Sequence, residues 1–183
     1  MIIDLQLHST YSDGYLSPTE VANFLAHKGV KIASLTDHNT AAGYPEFYTA
    51  CSTLGIKVVP GVEIYTRFNN QQINILWYNL PLDSQEFNEL MENTQKHWST
   101  RLRWHLLKLI KAKVLVAGSE TVLDQFSNYV PTNSLLDAIL SLPGNREMIA
   151  KTLNNPFFRE EEAIALLFNN KKVGKLRPST INL

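Results

Sequence analysis

Seven polar side chains stand where this sequence could do chemistry. The stretch "DLQLHSTYSDG", residues 4–14, offers Gln6, His8 and Asp13; "LTDH" adds Asp37 and His38; "PGVEIYT" adds Glu63; "QQINILWYNL" adds Asn74. Imidazoles and carboxylates are ligands for divalent ions such as zinc or manganese. An ion held by them polarises a phosphoryl or carbonyl group and makes water a nucleophile at neutral pH. Taken singly, each residue has an ordinary reading. His8 could be a hydrogen-bonded histidine, and Asp13 could cap the "SDG" turn. Asp37 and His38 could form a buried network, and Glu63 could be a surface charge. Their placement at successive strand ends, all on one side, favours a shared metal centre.

The elements that must position them alternate along residues 1–80. "MIIDLQLH" reads as a strand, in which Gln6 and His8 share a face because side chains repeat every second residue. "SPTEVANFLAHKG" reads as a helix. Ser17 is its N-cap, Pro18 suits the first helical position, and Glu20 completes a capping box. Val21, Phe24 and Leu25 make its apolar stripe, and Gly29 closes it. His27 near its end is ordinary capping chemistry. "VKIASLTDH" is a second strand, "PEFYTACSTLG" a second helix ending at Gly55, and "IKVVPGVEIYT" a third strand. After "NN", "QQINILWYNL" is a fourth. Strands alternating with helices imply βαβ units and a mainly parallel sheet, with chemistry beyond the carboxyl ends of the strands. The last two strands are also close enough in sequence to form a local hairpin.

Residues 83–175 read as almost wholly helical. A long helix over about 83–112 carries Phe87, Leu90, Met91, Thr94, Trp98, Leu102, His105, Leu106, Leu109 and Ile110 on one stripe. Its acids, Asp83 to Glu92, precede its bases, Lys96 to Lys113, an order that complements the helix dipole. Shorter helices follow near 119–128, 132–141, 145–154 and 159–169. The basic run with Trp98 and Trp104 reads first as a solvated face with core tryptophans. The competing reading is a contact with phosphate or a single nucleic-acid strand.

Composition sets outer bounds. Lys plus Arg and Asp plus Glu each total 17, so no global field favours nucleic acid or a membrane. The single cysteine, Cys51, excludes a disulfide framework and reads as a small buried apolar residue. No apolar run is long enough to span a bilayer and the N-terminus lacks a basic leader, so a soluble cytoplasmic protein is expected.

The quoted strand-end motifs, together with "SPTEVANFLAHKGVKIASLTDHNTAAG", resemble the polymerase and histidinol phosphatase (PHP) superfamily. The likeness is greatest to its stand-alone phosphoesterases, which include nucleotide phosphatases and 5′–3′ exoribonucleases. It implies an α/β fold, the N-terminal portion of a distorted (β/α)7 PHP barrel followed by a helical insertion. It divides the chain into a βα part at 1–82, an insertion at 83–175 and a return toward further barrel strands at 176–183. It implies up to three divalent ions, manganese, zinc or iron, and water held by them attacking a phosphoester. His8, Asp13, His38 and Glu63 match the family's metal ligands, with Glu63 bridging two ions; Asp13, His38 and Glu63 are then the catalytic centre. Gln6 and Asn74 stand where the family has histidines. Arg146 in "GNREMIAKTL" matches an arginine that would hold substrate phosphate, while Met148 replaces a nearby histidine. Arg101, with Arg103, is similar to the first element of the insertion and is a second phosphate candidate.

Amide oxygen is a weaker ligand for such ions than imidazole nitrogen. Gln6 and Asn74 therefore weaken the two ions that Glu63 would bridge, and Asp13 with His38 is the best remaining site. The family's later His-Pro and Asp-x-His motifs have no counterpart, since His97 and His105 are the only later histidines. His105 on the apolar stripe is expected to pack rather than ligate. Two functions follow: an impaired metal-dependent phosphoesterase acting on nucleotides or short single-stranded oligonucleotides, or a non-catalytic PHP-fold module that binds phosphate or nucleic acid. Self-association through an incomplete barrel edge is a further expectation.

Overall fold

The computed structural model describes residues 1–69, 71–126, 130–177 and 180–182. β1 (Ile2–Leu7), β2 (Val30–Leu35) and β3 (Lys57–Val58) form a parallel sheet in that order. α1 (Pro18–His27) and α2 (Tyr44–Thr53) connect them. The local causes are those in the sequence. The Ser17 hydroxyl accepts the Glu20 N–H while the Glu20 carboxylate accepts the Ser17 N–H, with Pro18 at the first turn. Gly29 then takes a left-handed φ of +75°, which ends the helix. Val21, Ala22 and Leu25 of α1 pack with Phe47 and Cys51 of α2 on Val30, Ala33 and Leu35 of β2. Cys51 is fully buried, and burial pushes its thiol up to about 11. β1 is an edge strand and leaves Ile2, Ile3 and Leu5 exposed.

The stretch "IKVVPGVEIYT", expected to be one strand, is two. β3 stops at Val58, and after Pro60 the chain enters β4 (Gly61–Phe68) in a different sheet. Proline has no N–H and a fixed φ, and it pushes the preceding residue into extended geometry. The ladder therefore breaks there, while the Pro60 carbonyl still accepts the Asn79 N–H at 2.8 Å. β4 pairs antiparallel with β5 (Gln71–Tyr78), from Gly61↔Tyr78 to Phe68↔Gln71. Asn69 turns the hairpin with a φ of +46°; Asn70 lies outside the described residues. β1 to β3 keep the parallel order expected from alternation, and the last two strands form the hairpin that their short spacing allowed, since a hairpin needs only a short turn where a crossover needs a helix. β8 (Ile181–Asn182) lies parallel to the other edge of β4. Of the segment 176–183, Pro178, Ser179 and Leu183 lie outside the described residues.

The chain forms two compact units that divide between Gln95 and Lys96, inside α3 (Gln85–Lys111). In the first, Phe87 and Met91 of α3 pack on Val62, Ile64 and Leu80, and Trp77 meets Phe87 edge-on at 5.5 Å. In the second, Leu102, Leu106 and Leu109 join α4 (Thr132–Ser141), α5 (Asn145–Leu153) and α6 (Glu160–Phe168) around one core. Fully buried Asn145 ties it together. Its Oδ1 accepts the Val116 N–H, and its Nδ2 donates to Ser119 Oγ and to the Ile139 carbonyl. The helix expected near 119–128 is a 3₁₀ helix, Ser119–Gln125, and Ser127 and Asn128 lie outside the described residues. A short hairpin of β6 (Asn169–Asn170) and β7 (Gly174–Lys175), unforeseen in the sequence, follows α6. Trp98 packs against the core, but Trp104 is 65% exposed, so only one of the two helical tryptophans is a core residue. Among the described residues no helix is long and apolar enough to cross a membrane.

Candidate metal centre

A bridge between the two sheets builds the site. Beyond β2 the chain runs on beside the start of β4: the Glu63 N–H donates to the Asp37 carbonyl at 3.2 Å, and the Asn39 N–H to the Glu63 carbonyl at 2.9 Å. This sets His38 against Glu63. The approach is close enough to require glycine at Gly61, where a Cβ would collide with Ser34 Oγ and crowd Thr36. Gly14 of "SDG" is held the same way, since a Cβ there would lie 2.5 Å from the His8 carbonyl oxygen. The turn that carries Asp13 therefore folds tightly back on the strand end that carries His8.

Asp37 fastens that turn. Its buried carboxylate accepts the Ser9 N–H and the Ser9 hydroxyl, each at 2.7 Å, and also the Ser12 hydroxyl. Asp37 is thus the buried network that its ordinary reading anticipated. Ser9 and Ser12 are functional neighbours that the sequence reading passed over. Their signal was the spacing of hydroxyls in "HSTYSDG" between two candidate ligands. Tyr65 was missed too. Its ring stacks on His38 at 4.3 Å and 16°, and its N–H donates to Asn39 Oδ1.

Each of two imidazoles faces two carboxylates. His8 places Nδ1 3.1 Å from Asp13 Oδ1 and Nε2 3.1 Å from Glu63 Oε2. His38 places Nε2 3.5 Å from Asp13 Oδ2 and Nδ1 4.0 Å from Glu63 Oε1. The rings themselves are 4.6 Å apart. Gln6 Nε2 donates to Glu63 Oε2 at 3.1 Å, and Asn74 Nδ2 donates to Glu63 Oε1 at 2.7 Å. Gln6 and His8 thus meet the same carboxylate oxygen. Hydrogen bonds from His38 and His8 hold the Asp13 carboxyl well below the usual carboxylate range. The same bond to Asp13 raises the His8 pKa against the opposing effect of burial.

The structure therefore assembles Gln6, His8, Asp13, His38, Glu63 and Asn74 at one place. Arg101 and Arg146 belong to the helical unit, exposed on α3 and α5, and the Arg146 guanidinium lies 5.6 Å over the Phe158 ring. The donor set fits a divalent cation. One ligand atom from each of His8, His38 and Glu63 lies within 4.8 Å of the others. Among the described residues His38 Nδ1 is also buried with no hydrogen-bond partner, facing a carboxylate oxygen 4.0 Å away. An unpartnered buried nitrogen is costly unless a proton donor, acceptor or ion completes it.

Histidines and carboxylates gathered beyond the carboxyl ends of strands define a class, the α/β proteins with a strand-end metal site. Within that class the chain belongs to the PHP domain family, whose pattern it matches over residues 4–167. It is 38% identical to a 5′–3′ exoribonuclease of Haemophilus influenzae over 90 residues, 49% of this chain and 33% of that protein. It is 36% identical to a 3′,5′-nucleoside bisphosphate phosphatase of Chromobacterium violaceum over 74 residues, 40% of this chain and 26% of that protein. A solved structure described as an amidohydrolase from Chromobacterium violaceum, with bound sulfate and no metal, superposes with a TM-score of 0.69 at 20% identity. That match covers 100% of this chain and 60% of the other. The chain spans less than half the length of the curated relatives named here. The α/β class and the PHP-type fold expected from the motifs are therefore found.

Proposed function

We propose that this chain carries the metal centre of a PHP-type phosphoesterase acting on nucleotides or short single-stranded nucleic acid. Its donors are His8, Asp13, His38 and Glu63, and manganese, zinc or iron fits them. When bound, such an ion supplies the charge that polarises a phosphoryl group and makes water nucleophilic. The rest is the work of the chain. Asp37, through Ser9 and Ser12, holds the turn that presents Asp13. Tyr65 fixes the plane of the His38 ring. Arg101 and Arg146 offer guanidinium forks, whose planar donors match phosphate oxygens. The observation that carries this reading is the buried His38 Nδ1, which has no hydrogen-bond partner among the described residues and lies 4.0 Å from Glu63 Oε1.

The test is elemental analysis of protein purified without chelator, joined to manganese-dependent hydrolysis of a nucleoside 3′,5′-bisphosphate and of a 5′-phosphorylated oligonucleotide. Ion bound near stoichiometry with metal-dependent phosphate release is the expected result; protein that takes up no ion sinks the proposal. A second reading, a non-catalytic module for phosphate or nucleic acid, is favoured by one specific observation. Gln6 and Asn74 donate to both oxygens of Glu63. It expects the same nucleotides to bind without turnover.

A further inference from the structure

The hairpin of β4 and β5 has two faces. Side chains alternate along a strand, and residues opposite each other in an antiparallel pair share a face. Val62 and Ile64 lie on one face and pack with Phe87 and Met91 in the core. Glu63, Tyr65 and Arg67 lie on the other, with Asn74 opposite Tyr65 and Gln72 opposite Arg67. That second face already serves the metal donors. Glu63 meets both imidazoles, Asn74 donates to Glu63, and Tyr65 stacks on His38. Arg67 comes next on the same row, in the same compact unit. β4 runs parallel to the chain that leaves β2, through the bridge between His38 and Glu63. Residues after Glu63 therefore continue outward beyond the strand ends, on the side from which ligands enter such sites.

Arg67 is half-buried and unmatched. Among the described residues its Nε is buried with no hydrogen-bond partner, and no carboxylate forms an ion pair with it. A buried donor on a permanent cation is costly until an acceptor, best an anion, reaches it. Glu63 does not serve. Its oxygens accept from Gln6 and Asn74, and it stands four residues back, about 14 Å of strand at about 3.4 Å per residue. The same span separates Arg67 from a phosphate drawn to an ion at the donors. A single phosphate does not bridge it, whereas a nucleotide with a second phosphate beyond its sugar extends along it. We infer that Arg67, with the exposed amide of Gln72 beside it, is a subsite for that second phosphate. The guanidinium supplies a fixed charge and a planar fork that fits two phosphate oxygens. The chain then selects nucleotides with two phosphates over monophosphates. This deepens the phosphoesterase reading above and rests on it. Arg67 binds the end of the ligand that does not react, so its role is selection rather than chemistry.

Phosphonate analogues of adenosine 5′-monophosphate and adenosine 3′,5′-bisphosphate resist hydrolysis. Calorimetry of the full chain with manganese present then reads affinity alone. The wild type is expected to bind the bisphosphate analogue at least about 10-fold more tightly, the scale of a charge-assisted hydrogen bond. Arg67→Ala abolishes that preference and leaves the affinity for the monophosphate analogue unchanged. Arg67→Lys keeps the charge but not the fork, loses most of the preference, and carries the test if the alanine variant unfolds. Equal wild-type affinity for the two analogues, or an equal loss of both in Arg67→Lys, overturns the subsite and leaves the phosphoesterase reading standing. No binding of either analogue overturns both. The analogue of a 5′-phosphorylated dinucleotide, whose second phosphate is a diester, is the other arm. The tighter of the two-phosphate ligands shows whether the subsite takes a terminal or an internal phosphate. Nitrogen-15 spectra give an independent readout at the unmatched atom. The Arg67 Nε–H resonance, assigned by its loss in Arg67→Lys, should move with a two-phosphate analogue and stay in place with the monophosphate. A resonance that ignores both two-phosphate ligands overturns the proposal.

Discussion

Two histidines in this chain are equally buried and do opposite things. His38, in the α/β unit, and His105, in the helical unit, are each 7% exposed. Around His38 stand two carboxylates, a stacked tyrosine and a second imidazole, and its Nδ1 has no hydrogen-bond partner among the described residues. His105 sits among leucines and gives its Nε2–H to the Leu167 carbonyl at 2.6 Å. Burial alone therefore does not make a ligand. What marks His38 is an unmet bonding direction aimed at negative charge, while His105 is a packed residue with its polar need met. The same contrast runs through the units. The helical core is apolar and centred on one satisfied amide, Asn145, whereas the strand-end site is built on two buried carboxylates, Asp37 under the turn and Glu63 between the imidazoles.

The comparison breaks first at Asp37. Asp37→Ala strands the Ser9 N–H and two hydroxyls in a region where both serines are fully buried. Hydrogen bonds to a buried charge contribute about 1.5–3 kcal/mol each, not additively, so a loss of roughly 3 kcal/mol is expected. Urea unfolding measures it. A loss below about 1 kcal/mol would mean that the turn bearing Asp13 is held by its backbone, not by Asp37.

Histidines of the two units also part with pH. Burial lowers the His105 pKa, opposed in part by its bond to the Leu167 carbonyl. Below the unfolded value of about 6.5 the unfolded chain binds this proton more readily than the folded one. Stability from this group is therefore complete above that pH and falls as acid approaches the folded pKa. His8 leans the other way: its raised pKa adds stability at low pH that fades as pH rises through the folded value. Unfolding followed between pH 7.5 and 5 should show a smaller acid loss in His105→Gln than in the wild type. Equal slopes would remove His105 as the acid-sensitive member of the pair.

How much of this was legible depended on the range of the forces involved. α1 was readable nearly to the residue because Ser17, Pro18, Glu20 and Gly29 act within a turn of where they stand. The helices from α4 to α6 were readable because burial repeats at helical spacing. Gathering His8, Asp13, His38 and Glu63 was legible because strand-end position carries direction. The splitting of "IKVVPGVEIYT" was not, although Pro60 was in view, because the sheet a strand joins depends on partners distant in sequence. Nor was the fate of Gln6 and Asn74. Their types said only that imidazole was absent; that both amides would turn their N–H groups to one carboxylate is a tertiary fact. Trp104, expected inside with Trp98, is exposed because six residues turn it about 120° around the helix from Trp98.

The smallest effect tests whether the helical unit shares the chemistry of the strand ends. Arg146 is exposed, and its contact with the Phe158 ring at 5.6 Å is the kind of surface cation–π pair that contributes about 0.5–1 kcal/mol. Arg146→Ala should cost that much in unfolding free energy. Arg146→Lys keeps the charge and can keep the aromatic contact, so its stability should be nearly unchanged. The two variants part if Arg146 also receives phosphate, since lysine lacks the planar fork that meets two oxygens at once. Nucleotide affinity that falls in Arg146→Lys, with stability intact, assigns the guanidinium to the ligand. Affinity that survives in both variants confines Arg146 to its aromatic neighbour and leaves the phosphate role to Arg101.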